Sequence, residues 1–76
     1  MKTTLDELKA FVAVVDSGSI TAAAEELELT ISATSRTLAR LEDKLQTTLL
    51  RRTTRRLELT EEGAAFLEYA RTILAT

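Results

Sequence analysis

Apolar residues recur at three- and four-residue steps from the start of the chain: Leu5, Leu8, Val12 and Val15, with Phe11 alongside. That period lays one apolar stripe along an α-helix. Thr4 precedes the run and Glu7 follows three residues later. In this capping-box spacing each side chain satisfies the other residue's exposed backbone N–H. A helix is therefore expected over Thr4–Asp16, ended by Ser17-Gly18-Ser19, where glycine tolerates the left-handed conformation. A second, short helix is expected over Thr21–Leu27, with Ile20, Ala23, Ala24 and Leu27 inward and Glu25 and Glu26 toward water. Its alanines let a neighbouring helix come close. After the short connection Glu28-Leu29-Thr30, a third helix is expected over Ile31–Leu45, capped by Thr30. Leu38, Leu41 and Leu45 form its buried stripe, and Ser32, Ser35, Arg36, Thr37 and Arg40 its outward face.

From Thr47 the period changes. Leu49 and Leu50, then Leu57 and Leu59 about Glu58, read as two short strands joined by the polar turn Thr53-Thr54-Arg55-Arg56. The turn lacks an Asn-Gly or Asp-Gly signal, so a longer, mobile loop is expected there. Thr60-Glu61-Glu62 starts a further helix, because acids in the first turn meet the positive end of the helix dipole. That helix carries Ala65, Phe66, Tyr69, Ala70, Ile73 and Leu74, more apolar surface than three short helices and a hairpin are expected to cover. No termination signal follows Leu74, so the helix is expected to continue in a longer parent protein. The predicted order of helix, tight turn, helix, basic hairpin and long helix is mainly α, a winged helix-turn-helix. It has a three-helix core, a two-stranded wing and a long C-terminal linker helix.

Composition changes the picture by where charge lies. The chain of 76 residues has a net charge of -2, which on its face argues against a polyanionic partner. Yet residues 36–56 hold Arg36, Arg40, Lys44, Arg51, Arg52, Arg55 and Arg56 against only Glu42 and Asp43, a net of +5 between two acidic flanks. A local field of this kind is what neutralising phosphates requires. There is no cysteine and no histidine, which excludes disulfides, thiolate zinc sites and the commonest acid/base catalyst. With only 2 glycines and no phosphate-binding loop, no catalytic residue, metal ligand or cofactor is expected. No apolar run is long enough to span a bilayer, and no basic-then-apolar leader opens the chain, so a cytoplasmic, non-membrane protein is expected.

The ordered set Leu8, Phe11, Gly18-Ser19, Thr21-Ala22-Ala23-Ala24, Leu27, Ser35-Arg36, Leu38, Leu41-Glu42, Leu45, Leu49-Leu50, Arg52-Thr53, Arg55 and Leu59-Thr60-Glu61-Glu62-Gly63 resembles the N-terminal domain of LysR-type transcriptional regulators over nearly the whole chain. The resemblance implies a DNA-binding domain over residues 1–60 and the start of a linker and dimerisation helix over 61–76. It also implies a homodimer paired through the last helices, and a small-molecule effector handled by a domain outside this chain. The family commonly has a polar-proline pair early in the third helix, where this chain has Ile31-Ser32 and no proline anywhere. Sequence preference is thereby left open, and Ile31 is a candidate for contact with a thymine methyl.

Short polar side chains on an exposed helix face suit entry into the major groove, and Thr30, Ser32, Ser35, Arg36 and Arg40 are candidates there. Arg36 is placed either on a guanine edge or on a phosphate. Arg52, Thr53 and Arg55 match the family's wing, and arginines on a loop suit a narrow, electronegative minor groove. Arg51 and Arg56 face either DNA or water. Ser19 and Thr21, at the start of the second helix, either bind a phosphate or simply cap the helix. Phe66, Tyr69, Ala70, Ile73 and Leu74 are candidates for a dimer interface, although some of these side chains must serve the domain's own core. A two-fold dimer presents two third helices to one face of a duplex, so an inverted-repeat site is expected. The competing reading is a winged helix that binds protein. The arginine-rich hairpin speaks against it, as does the scarcity of aromatic anchors, with Phe11, Phe66 and Tyr69 all on expected apolar faces.

Overall fold

A computed structural model describes residues 4–52 and 57–75, the side chain of Arg52 apart. Helix α1 spans Leu5–Ser17, α2 Ile20–Leu27 and α3 Ile31–Leu45; strands β1 (Leu50–Arg52) and β2 (Leu57–Leu59) follow, then helix α4 (Glu61–Ala75). The strands pair antiparallel with Leu50 opposite Leu59, Arg51 opposite Glu58 and Arg52 opposite Leu57. The expected turn residues Thr53, Thr54, Arg55 and Arg56 lie outside the described residues.

Local chemistry sets the boundaries. The Glu7 N–H donates to Thr4 Oγ1 at 3.2 Å and the Thr4 N–H to Glu7 Oε1 at 3.0 Å, completing the capping box. Gly18 ends α1 at φ 79°. Ser19 and Thr30 cap α2 and α3, their hydroxyl oxygens accepting from Ala22 N at 2.9 Å and Ala33 N at 3.0 Å. Both α2 and α3 end on left-handed residues that are not glycine, Glu28 at φ 59° and Gln46 at φ 54°.

The core gathers Phe11, Ala13, Val14, Ala23, Leu38, Leu41 and Leu49, flanked by Val15, Ile20, Leu27, Leu45, Leu50, Leu57, Phe66 and Leu67. Two positions differ from expectation, Leu5 and Leu49, and a third, Thr34, is buried without having been given a place by the sequence pattern. Leu5 is 56% exposed, because the buried face of α1 runs through Leu8, Phe11 and Val14 and leaves Leu5 at its margin. Leu49 is wholly buried but precedes β1, so it serves as a core plug and not as a strand residue. Thr34, a polar residue in the middle of α3, is fully buried; its hydroxyl donates to Thr30 O at 3.0 Å and is thereby satisfied. Among the described residues no helix is long and apolar enough to cross a membrane.

Candidate nucleic-acid interface

Helix α3 divides its surface cleanly. Thr34, Leu38 and Leu41 are buried, and a fifteen-residue helix so anchored presents its other side outward. There Ile31, Ser32, Ser35, Arg36 and Ala39 line one shallow concavity. Ile31 is 53% exposed, an apolar group at the surface of this face. Ser32 and Arg36 are exposed and Ser35 is half-buried. Thr30 begins the same surface with its hydroxyl engaged in the cap. Arg40 is exposed but lies at the margin, lining a separate cleft with Thr4, Asp6, Lys9, Leu27, Leu29 and Thr37, where its charge acts on Glu7. Ser19 and Thr21 stand at the start of α2, Ser19 as the N-cap and Thr21 exposed.

Of the hairpin candidates, the backbone of Arg52 lies in β1 opposite Leu57, whereas Thr53 and Arg55 lie outside the described residues. Arg51 is exposed on β1. One cation of the basic segment is committed to the fold. Lys44 Nζ donates to both oxygens of Glu7, at 3.0 and 2.9 Å, docking the end of α3 on the start of α1. Burial alone pushes the Glu7 carboxyl up, but the Thr4 N–H and the Lys44 ammonium outweigh it and hold the group below its ordinary value of 4.5. The sequence carried no sign of this pairing across 37 positions.

Helix α4 supplies the candidate dimer residues. The Phe66 ring stands edge-on to Phe11 with centroids 5.6 Å apart and lies 5.8 Å from Tyr69. Tyr69 is 51% exposed, and Ile73 and Leu74 are half-buried. Ala70 requires correction: it is wholly buried within the chain and has no surface to offer a partner. An ion pair from Arg71 Nη2 to Asp16 Oδ1 at 2.7 Å holds α4 along α1.

The resemblance named Glu42 and Gly63 without giving either a role. Glu42 Oε2 accepts from Leu49 N at 2.6 Å and Leu50 N at 3.0 Å. Gly63 sits where any Cβ would overlap the Leu49 carbonyl oxygen and come within 2.9 Å of Leu59 Cδ1. A glycine inside a helical pattern is a readable sign of such an approach, but nothing in the sequence identifies the partner.

This arrangement of three capped helices, a two-stranded wing and an outward polar face on α3 recurs in known proteins. Residues 5–64 match the profile described as "Bacterial regulatory helix-turn-helix protein, lysR family". The chain belongs to the lysR family. CrgA of Neisseria meningitidis, an HTH-type transcriptional regulator, is 55% identical over 74 residues, 97% of this chain and 25% of the relative. Among solved structures, the BenM DBD in complex with catB site 1 DNA matches at TM-score 0.92 and 38% identity, covering 96% of this chain and 82% of that one. The CbnR DBD–DNA complex matches at TM-score 0.91 and 41% identity, covering 96% and 84%. The winged helix-turn-helix architecture and the lysR assignment therefore stand, and the relatives are regulators rather than enzymes. This lysR-family chain spans about a quarter of the length of the first curated relatives it matches, CrgA among them.

Proposed function

We propose that this chain binds double-stranded DNA sequence-specifically, as the DNA-binding domain of a bacterial transcriptional regulator that acts as a homodimer in the cytoplasm. The observation that carries the reading is the outward face of α3. Ile31, Ser32 and Arg36 are exposed on a helix whose opposite side alone builds the core. The solved relatives BenM DBD and CbnR DBD are complexes with DNA, and this face is shaped for the same use. Helix α3 enters the major groove, where Arg36 meets a guanine edge or a phosphate and Ile31 a thymine methyl. The wing, with Arg52, Thr53 and Arg55, approaches the adjacent minor groove. Ser19 and Thr21 meet a phosphate at the start of α2. Phe66, Tyr69, Ile73 and Leu74 pair two copies through α4, so that the site is an inverted repeat. A small-molecule effector acts through a domain outside these residues.

Selection from a random-sequence duplex pool is expected to enrich sites with two related half-sites. Fluorescence anisotropy on a selected duplex then compares the wild type with Arg36→Ala and Arg52→Ala. Each variant is expected to bind about 5- to 150-fold more weakly if its contact is to a base. A lost phosphate contact instead lowers the slope of log affinity against log salt by about 0.9. No enrichment, or unchanged affinity and salt slope in both variants, would overturn the proposal.

A further inference from the structure

One acid stands where the proposed function makes it a liability. Glu42 is half-buried on α3, in the middle of the segment whose net charge is +5, and an anion beside a phosphate backbone is repelled. Its compensating role is at Leu49. Glu42 Oε2 takes the N–H groups of Leu49 and Leu50 at 2.6 and 3.0 Å, the residues through which the chain passes into the wing. The Leu49 carbonyl oxygen is held from the other side, accepting from Thr60 N at 3.0 Å and Thr60 Oγ1 at 3.1 Å. The single hydroxyl proton of Thr60 is shared with Thr48 O at 2.7 Å, while Thr60 Oγ1 accepts from Gly63 N at 2.9 Å and so caps α4. Gly63, lacking a Cβ, lets the first turn of α4 rest against the same carbonyl. The amide and carbonyl of one residue thus join α3, the root of β1 and the start of α4.

Resting on the DNA-binding reading above, we infer that Glu42 is a positioning residue for the wing: its carboxylate fixes the distance and angle between α3 and β1 at which major-groove and minor-groove contacts are made together. A bond between an anion and two N–H groups is short and directional, whereas the two three-residue strands of the wing give little stiffness of their own. Glu42 itself touches no DNA. It acts through the wing root.

The sign of the effect separates this role from a bystander charge. Glu42→Ala removes a negative charge, which for a bystander tightens binding or leaves it unchanged. For a positioning residue it weakens binding, here by about tenfold, with selective loss of the flanking minor-groove protection in a hydroxyl-radical footprint. Guanine N7 protection against methylation in the major groove persists. Glu42→Gln keeps an oxygen acceptor of the same reach, its weaker bonds to the two N–H groups offset by loss of a charge that phosphates repel, and is expected to bind within about threefold of wild type. Glu42→Asp keeps the charge but is one methylene shorter, so it cannot reach both N–H groups, and it is expected to bind about threefold or more weakly. The probe is a fluorescent duplex of about 30 base pairs selected by the wild type, with the helicity of each variant checked by circular dichroism. If Glu42→Ala does not fold, the order of Gln, wild type and Asp decides. Ala or Asp binding as tightly as wild type with the full footprint overturns the inference alone; a wild type that binds no duplex overturns the DNA-binding reading itself.

Discussion

Lys44→Met tests whether charge docks α3 on α1. Glu7 is 3% exposed and receives both of its long-range hydrogen bonds from Lys44. Methionine keeps most of the lysine stem and removes only the ammonium, so packing is largely retained. Orphaning a fully buried carboxylate costs about 3–5 kcal/mol. Here the Lys44 side chain is 32% exposed, so water already screens part of the attraction, and the Thr4 N–H and Arg40 still favour the anion. A loss of about 2–3 kcal/mol is therefore expected. A chain of 76 residues has a total stability on the order of 4–11 kcal/mol, so Tm should fall by about 10–20 °C. The pH dependence is the sharper assay. In the wild type the folded Glu7 carboxyl lies below its ordinary value of 4.5. Its contribution to stability is thus fully present above that value and is lost as pH falls through the lower folded one. Without Lys44 two of the causes that lower the Glu7 carboxyl are gone, so the variant has less of this stability to lose on acidification. Urea denaturation between about pH 3 and 7 should show the gap between the two proteins shrinking toward acid. A gap under about 0.5 kcal/mol at neutral pH, or one that stays constant with pH, would refute the reasoning.

Three further outcomes are expected. Ile73→Asp should shift the chain from dimer to monomer in sedimentation, and a variant that stays dimeric places the interface elsewhere than α4. Gly63→Ala forces a methyl against the Leu49 carbonyl; it should lose about 2 kcal/mol or more in urea unfolding, well beyond the gain of up to about 1 kcal/mol that alanine brings to an unobstructed helix site. Glu28→Gly relieves a left-handed residue at φ 59° and an acid at a helix C-terminus. Offset by the greater freedom of glycine in the unfolded chain, it should raise stability by about 0.5–1 kcal/mol, and any loss of stability shows that the αL strain is not the controlling effect there.

What could be read from the sequence was local. Thr4 with Glu7, and Thr30 before a periodic run, announced helix starts because capping is decided within three residues. The bounds of α3 were accordingly legible at both ends. Leu5 was misplaced because α1 meets α2, α3 and α4 together, and a helix with neighbours on several sides buries a face that periodicity alone does not select. The joint at Leu49 was hidden for a different reason: its hydrogen bonds run from side chains at 42 and 60 to backbone groups, and backbone groups leave no trace in composition. Ala70 reads as a dimer-interface candidate because a small apolar residue looks the same in the sequence whether it seals a core or meets a partner.

The two-sided construction of α3 bears on how such a protein changes its target. Thr34, Leu38 and Leu41 hold the helix in place while Ile31, Ser32 and Arg36 take no part in the core. Substitutions at those three outward positions should cost within about 0.5 kcal/mol of stability each. On the proposed reading of α3 as the groove-entering helix, new operator preferences arise one residue at a time through intermediates that all remain folded, and a library confined to these positions is expected to alter recognition.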